Sequence, residues 1–276
     1  MFIRGSVKLN GLKTAGGKLR AFVKRNKKNV AAGIMLLLLA GIAYAAPRAV
    51  VDVANNVAAS AKELPIYCVD RDDKVVALTF DAAWGNEDTQ KILDILEKHN
   101  VKVTFFATGG WVETYPDDVK KIIEAGHAFG NHSENHKFMT RLTDEQKKQE
   151  LMKVHDKVKA LTGYEMCLFR PPYGDYNDAV VKVADSLGYY TIQWSVDSLD
   201  WKDYGVDSIV RTVTQHKSLD SGAIILMHNG AKYTADALDS IITSLEEQGY
   251  SFVTVAELIH TGKYHMDHTG KQIADE

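Results

Sequence analysis

Residues Lys74–Ala107 read KVVALTFDAAWGNEDTQKILDILEKHNVKVTFFA, and their pattern sets the fold class. Lys74–Phe80 (KVVALTF) is a continuous apolar and β-branched run, which suits a strand buried on both faces. From about Asp88 to His99 the apolar residues Ile92, Leu93, Ile95 and Leu96 recur instead at helical spacing, giving a helix with one inner face. Lys102–Ala107 returns to strand composition. Strand, helix, strand without a hairpin turn between them is the repeating unit of a parallel sheet.

The same rhythm runs outward to the C-terminus. Gly109-Gly110 reads as a turn, a helix opens near Pro116, where proline suits the first helical turn, and His127–Asn131 is a short strand. Thr143-Asp144-Glu145-Gln146 is a capping-box signature that starts a long helix ending at Gly163. Strands Met166–Arg170, Tyr190–Trp194, Ala223–Met227 and Tyr250–Thr254 then alternate with helices Asp178–Leu187, Val206–His216, Ala235–Gln248 and Val255–His260. One α/β domain over residues 64–260 is expected, with a loose polar tail over 261–276 that contains His265 and His268.

With 276 residues, 45% of them hydrophobic and 25% charged, the chain can bury one substantial core. Its net charge of -3 hides an asymmetry: residues 1–46 hold nine Lys/Arg and no acid, leaving 24 basic against 36 acidic residues in the rest. An acidic domain argues against nucleic acid as a partner, since phosphate backbones are bound through Lys and Arg. The basic leader, 1–29, precedes the apolar run VAAGIMLLLLAGIAYAA at 30–46, which reads as one hydrophobic helix, either a signal peptide or a transmembrane anchor. The A-x-A pattern of Ala43 and Ala45 favours cleavage, and the long basic leader favours retention. Both place the acidic part outside the cytoplasm, joined by a small, polar linker at 47–63. Two cysteines, Cys68 and Cys167, are compatible with one disulfide or with two buried small hydrophobes.

The chemically suggestive residues share a phase. Asp81, His132 and His136, Arg170, Asp197 and Asp200, and His228 each follow the C-terminal end of a predicted strand, the end where catalytic residues gather in a βα barrel. His132 and His136 are four apart, a spacing that on a helical turn brings both imidazoles to one metal ion. Asp81 alone could cap a turn, His228 alone could be a satisfied interior histidine, and Arg170 before Pro171-Pro172 is held extended.

Five segments read together: Thr79-Phe80-Asp81, His132-Ser133-Glu134-Asn135-His136, Arg170-Pro171-Pro172-Tyr173-Gly174, Asp197-Ser198-Leu199-Asp200-Trp201 and Leu226-Met227-His228. In order and separation they resemble the motifs of the polysaccharide deacetylases, the carbohydrate esterase family 4 or NodB-homology group, over roughly Leu64 to Ile259. The resemblance implies a distorted (β/α) barrel, usually seven-stranded, and metal-dependent hydrolysis of the N-acetyl group of an amino sugar. By it, His132 and His136 are metal ligands for a divalent ion, zinc in the first place, and Asp81 is the general base oriented by Arg170. His228 is the general acid with Asp200 as its ion-pair partner. Trp201 and Leu226 wall the acetyl methyl, and the Tyr173 backbone N–H is an oxyanion donor. The implied partner is a cell-wall glycan, peptidoglycan first and chitin oligosaccharides as the alternative, met by a monomer.

The sequence departs from that family at one position. Where the first motif has a second aspartate, the third metal ligand, this chain has Ala82. The -Trp84-Gly85- that follows resembles the sporulation-associated branch of the family. Asn131, Glu134, Glu87 and Asp88 are the candidates for a substitute ligand, and a wall-binding module that has lost hydrolysis is the alternative function.

Overall fold

The computed structural model describes residues 62–275. The basic leader, the apolar run and nearly all of the linker lie outside the described residues. Among those described, no helix is long and apolar enough to cross a membrane.

The fold is α/β, built on one curled sheet. Strands are β1 (Cys68–Val69), β2 (Val75–Ala82), β3 (Thr104–Ala107), β4 (Ala128–Asn131), β5 (Leu168–Phe169), β6 (Tyr190–Thr191), β7 (Val196–Asp197), β8 (Ala223–Asn229), β9 (Ser251–Phe252), β10 (Tyr264–Met266) and β11 (Lys271–Ala274). Helices are α1 (Thr89–Lys98), α2 (Gly109–Thr114), α3 (Pro116–Glu124), α4 (Asp144–Thr162), α5 (Asp178–Ser186), α6 (Val206–Thr214), α7 (Thr234–Glu247) and α8 (Val255–Leu258). The main strand order is β10-β11-β1-β8-β2-β3-β4-β5-β6, with β7 beside β8 and β9 beside β2.

β2 is the hub. All eight of its residues are buried, and it pairs in parallel with β3, β8 and β9. A strand covered on both faces has no solvent side on which to place polar residues, which is why its sequence is a nearly unbroken apolar run. α1 lays Ile92, Leu93 and Leu96 against the sheet, and burying each such side chain contributes about 1.5–3 kcal/mol. The capping box at Thr143 is formed in both directions, and Gly163 ends α4 at φ 75°. Gly130 in β4 is a packing requirement, because a Cβ there would lie 2.5 Å from the Phe106 ring.

Four expectations change. The sheet counts eleven strands rather than seven, because β1, β10 and β11 near the ends of the domain and the two-residue β7 beside β8 join the seven expected. The tail expected to be loose forms the antiparallel pair β10–β11, and β11 pairs in parallel with β1. Its alternation buries Gln272 completely, where the side chain bridges the backbone of His260. Gly109-Gly110 opens α2 instead of making a turn, since Thr108 caps that helix by accepting the Trp111 N–H. Cys68 and Cys167 are both free thiols, the first half-buried and the second exposed, so they are neither a disulfide nor two buried small hydrophobes.

Candidate active site

The C-terminal ends of the central strands surround a cleft of about 410 Å³. Asp81 and His228 reach it from the last residue but one of β2 and of β8, and they stand side by side in the parallel register of those strands. His132 and Arg170 follow β4 and β5 directly. Asp200 and Trp201 lie in a single 3-10 turn after β7. All nine site residues expected from sequence converge here, although Asp81 and His228 lie within their strands rather than after them.

Arg170 is the buried organiser. It is fully buried, and its guanidinium donates to Asp81 Oδ1 at 2.7 Å, to Thr79 Oγ1 at 2.8 Å and to the Gln193 carbonyl at 3.1 Å. Its Cζ sits 4.2 Å from the centre of the Phe106 ring, the ring that Gly130 makes room for. Burial raises the Asp81 pKa, but the charges of Arg170, His132 and His228 outweigh it and hold the carboxyl below the usual carboxylate range. Asp81 is therefore an anion with one oxygen engaged and Oδ2 directed at His132 Nε2, 3.6 Å away.

The histidine pair sits on a loop, and the expected helical turn is absent. Ser133 and His136 adopt left-handed backbone, at φ 63° and 52°, which folds the five residues back on themselves. Asn131 Oδ1 accepts the Ser133 N–H and Ser133 Oγ accepts the His136 N–H. Glu150 of α4 holds the outer arm, accepting from the Asn135 backbone and side chain and from Lys137. His132 Nδ1–H donates to the Arg170 carbonyl at 2.8 Å, which fixes the tautomer and leaves the Nε2 lone pair facing the cleft. The two Nε2 atoms are 3.2 Å apart. Burial first, and then the neighbouring His136 and Arg170 charges, push His132 down to about 4, so it is neutral at physiological pH.

These two imidazoles have the donor chemistry and convergence of a zinc cradle with two protein ligands. The third is missing: Ala82 is fully buried in the apolar core, and among the described residues no group of three or more His, Cys, Asp or Glu is arranged to hold an ion. None of the four candidate substitutes lines the cleft. Asn131 is spent on Leu151, Tyr189 and Ser133. Glu134 turns away to Lys157 at 2.6 Å. Glu87 is exposed and accepts the Asn86 N–H, and Asp88 accepts the Gly230 N–H.

His228 has the opposite bias to His132. Its Nδ1–H donates to Asp200 Oδ1 at 2.7 Å, and its backbone N–H donates to Oδ2 at 2.7 Å. Asp200 is fully buried and also accepts the Thr234 hydroxyl and the Trp201 N–H. Burial lowers the His228 pKa, but the hydrogen bond and charge of Asp200 more than offset it, so the cation is favoured. Leu226 and Trp201 wall the cleft, and Tyr173, at φ 60°, sets its ring edge-on to His136 at 4.5 Å.

Residues 69–192 match the family model described as polysaccharide deacetylase. The Bacillus subtilis peptidoglycan-N-acetylmuramic acid deacetylase PdaA is 38% identical over 201 residues, covering 70% of this chain and 74% of that protein. The chain belongs to the polysaccharide deacetylase family. Among solved structures, a carbohydrate esterase family 4 pseudoenzyme from Bacillus anthracis superposes on this deacetylase-family fold with a TM-score of 0.68 at 39% identity, covering 75% of this chain and 69% of that one. A mutant of that pseudoenzyme with restored enzymatic activity gives the same TM-score at 40% identity, over 75% and 72% of the two chains.

Sequence reasoning missed four contributors to this family site. Trp84 stacks on His228, with centroids 5.6 Å apart and an interplanar angle of 23°. Gly230, at φ 90°, allows this because a Cβ there would meet the Trp84 carbonyl at 2.4 Å. Thr234 and Glu150 act through Asp200 and Asn135. Trp84 carried a signal, an aromatic two residues past the strand end, whereas Thr234 and Glu150 carried none.

Proposed function

We propose that this protein hydrolyses N-acetyl groups on the amino sugars of a cell-wall polymer, peptidoglycan, outside the cytoplasm. The observation that carries the reading is the oppositely biased pair in one cleft: Asp81 kept anionic by Arg170 and His228 kept cationic by Asp200. Amide hydrolysis needs a base for the water and an acid for the departing amine.

In this reading Asp81 Oδ2 takes a proton from a water molecule as its oxygen attacks the acetyl carbonyl carbon. The Tyr173 N–H donates to the oxyanion of the tetrahedral intermediate. His228 Nε2 protonates the sugar nitrogen, the C–N bond breaks, and acetate and a free amine leave. Leu226 and Trp201 hold the acetyl methyl and exclude bulk water. His132 and His136 would hold a divalent ion, zinc by donor type, whose chemistry is to lower the pKa of a bound water to about 7 and to polarise the carbonyl. The test is acetate release from N-acetylated peptidoglycan fragments with added Zn²⁺ or Co²⁺. Release that falls sharply in Asp81→Asn supports the reading, and an unaffected variant sinks the role of Asp81.

Ala82 favours a second reading, a glycan-binding module with impaired turnover. It predicts glycan binding without acetate release, together with little bound metal. Ala82→Asp separates the two: gains in metal content and turnover together support impairment in the natural chain.

A further inference from the structure

The described residues expose five large apolar side chains, Trp84, Phe138, Tyr173, Trp201 and Tyr204, and all five come from loops at the C-terminal ends of strands. Single exposed aromatics are ordinary, but a set confined to one face marks an interaction surface. Two of these loops also carry a cation laid across a ring. Arg141 Cζ lies 4.4 Å from the Phe138 centroid, and Phe138 stacks on Tyr173 at 4.4 Å and 18°. Lys202 Nζ lies 5.0 Å from the Trp201 ring and 5.9 Å from that of Tyr204.

We propose that Arg141 and Lys202 are the specificity residues of this site and read carboxylates on the bound polymer, so that the substrate is an acidic amino-sugar glycan rather than a neutral one. The proposal deepens the deacetylase reading and rests on it. Both cations are exposed, and neither joins an ion pair among the described residues. Other lysines of this acidic domain are tied to carboxylates, Lys157 to Glu134 and Lys137 to Glu150 among them, whereas these two cations are not. An aromatic shelf fixes such a side chain by about 0.5–1 kcal/mol while leaving its N–H groups free. That ordering in advance lowers the entropic cost of gripping a carboxylate, and the Arg141 fork suits one bidentately.

The placement matches a polymer. Arg141 belongs to the β4–β5 side of the cleft and Lys202 to the β7–β8 side, with Asp81 of β2 between them in the sheet order. The cleft itself is lined by Asp81 and Asp197. Arg141 and Lys202 do not line the cleft, so they meet parts of the polymer other than the reacting acetamide. A neutral glycan offers these cations hydroxyl and carbonyl acceptors but no opposite charge, and hydrogen bonds between ionised partners are the stronger ones.

The test compares binding of two N-acetylated oligosaccharides of equal length, with chelator present to prevent turnover: a neutral N-acetylglucosamine oligomer and a carboxylate-bearing peptidoglycan glycan fragment. The whole chain is titrated as wild type, Arg141→Gln, Lys202→Gln and the double variant, with thermal melts as folding controls. Wild type is expected to prefer the acidic fragment roughly tenfold. The double variant should lose that preference while keeping its affinity for the neutral oligomer, and Arg141→Lys should recover part of it. Preference retained in the double variant, or equal weakening toward both ligands, overturns the proposal and leaves the deacetylase reading standing. Binding to neither ligand sinks both.

Discussion

Two buried histidines stand at opposite ends of one four-residue strand. His127 precedes β4 and His132 follows it, each is nearly inaccessible, and burial pushes each down to about 4. By perturbed titration alone both qualify as functional. Their company differs. His127 accepts the Val103 N–H on Nδ1 and packs against the edge of Phe105, with Lys102 as the neighbouring charge. His132 faces Asp81 and His136 and is oriented by the Arg170 carbonyl. A shifted pKa reports burial, and only convergent partners report chemistry.

The largest effect that could break this contrast concerns the cleft end. His228→Gln is expected to lower acetate release roughly 10²–10⁴-fold, as for loss of a positioned acid, while His127→Leu leaves it within about twofold. Matched rates under saturating glycan would show it, and an equal loss in both variants would erase the distinction. Next comes Arg170→Met. It strands the Asp81 carboxylate in a buried site, and removing one partner of such a pair costs about 3–5 kcal/mol, readable in urea unfolding.

How much of this was legible in the chain follows from the same contrast. The βα alternation could be read because buried parallel strands are apolar throughout, and KVVALTF left no other choice. Asp81, Arg170 and His228 could be read because a charged residue ending such a run has only the strand-end face to occupy. The geometry of the histidine loop could not be read. Its left-handed turns at Ser133 and His136 are held by Asn131 and Ser133 and its outer arm by Glu150 of the following helix, and H-x-x-x-H spacing says nothing of those partners. The tail escaped for a similar reason: β10 and β11 are too short to show a period, and pairing with β1 orders them.

A smaller effect reads the burial of His127 through pH. A histidine kept neutral by burial favours the fold above its unfolded pKa near 6.5. That contribution is lost as pH falls from about 6.5 toward 4, because the unfolded chain takes up the proton first. For His127 the loss reaches at most about 3 kcal/mol, and His127→Leu should flatten that part of the stability curve between pH 7 and 4. A curve unchanged by the substitution would show that His127 is not the buried neutral group inferred. Smallest is Thr143→Ala, which removes the cap of α4 at a cost of about 1 kcal/mol. It should lower the melting temperature without changing acetate release.

The most direct measurement is the pH dependence of kcat/KM for acetate release from an N-acetylated glycan. Asp81 must be ionised to act as base and His228 protonated to act as acid. The rate should therefore rise through a carboxylate pKa below the usual range and fall through a histidine pKa above 6.5. His228→Gln should remove the descending limb along with most of the rate. No acetate release at any pH with either metal, or a descending limb that survives in His228→Gln, would contradict the assignment of this cleft as an acid–base deacetylase site.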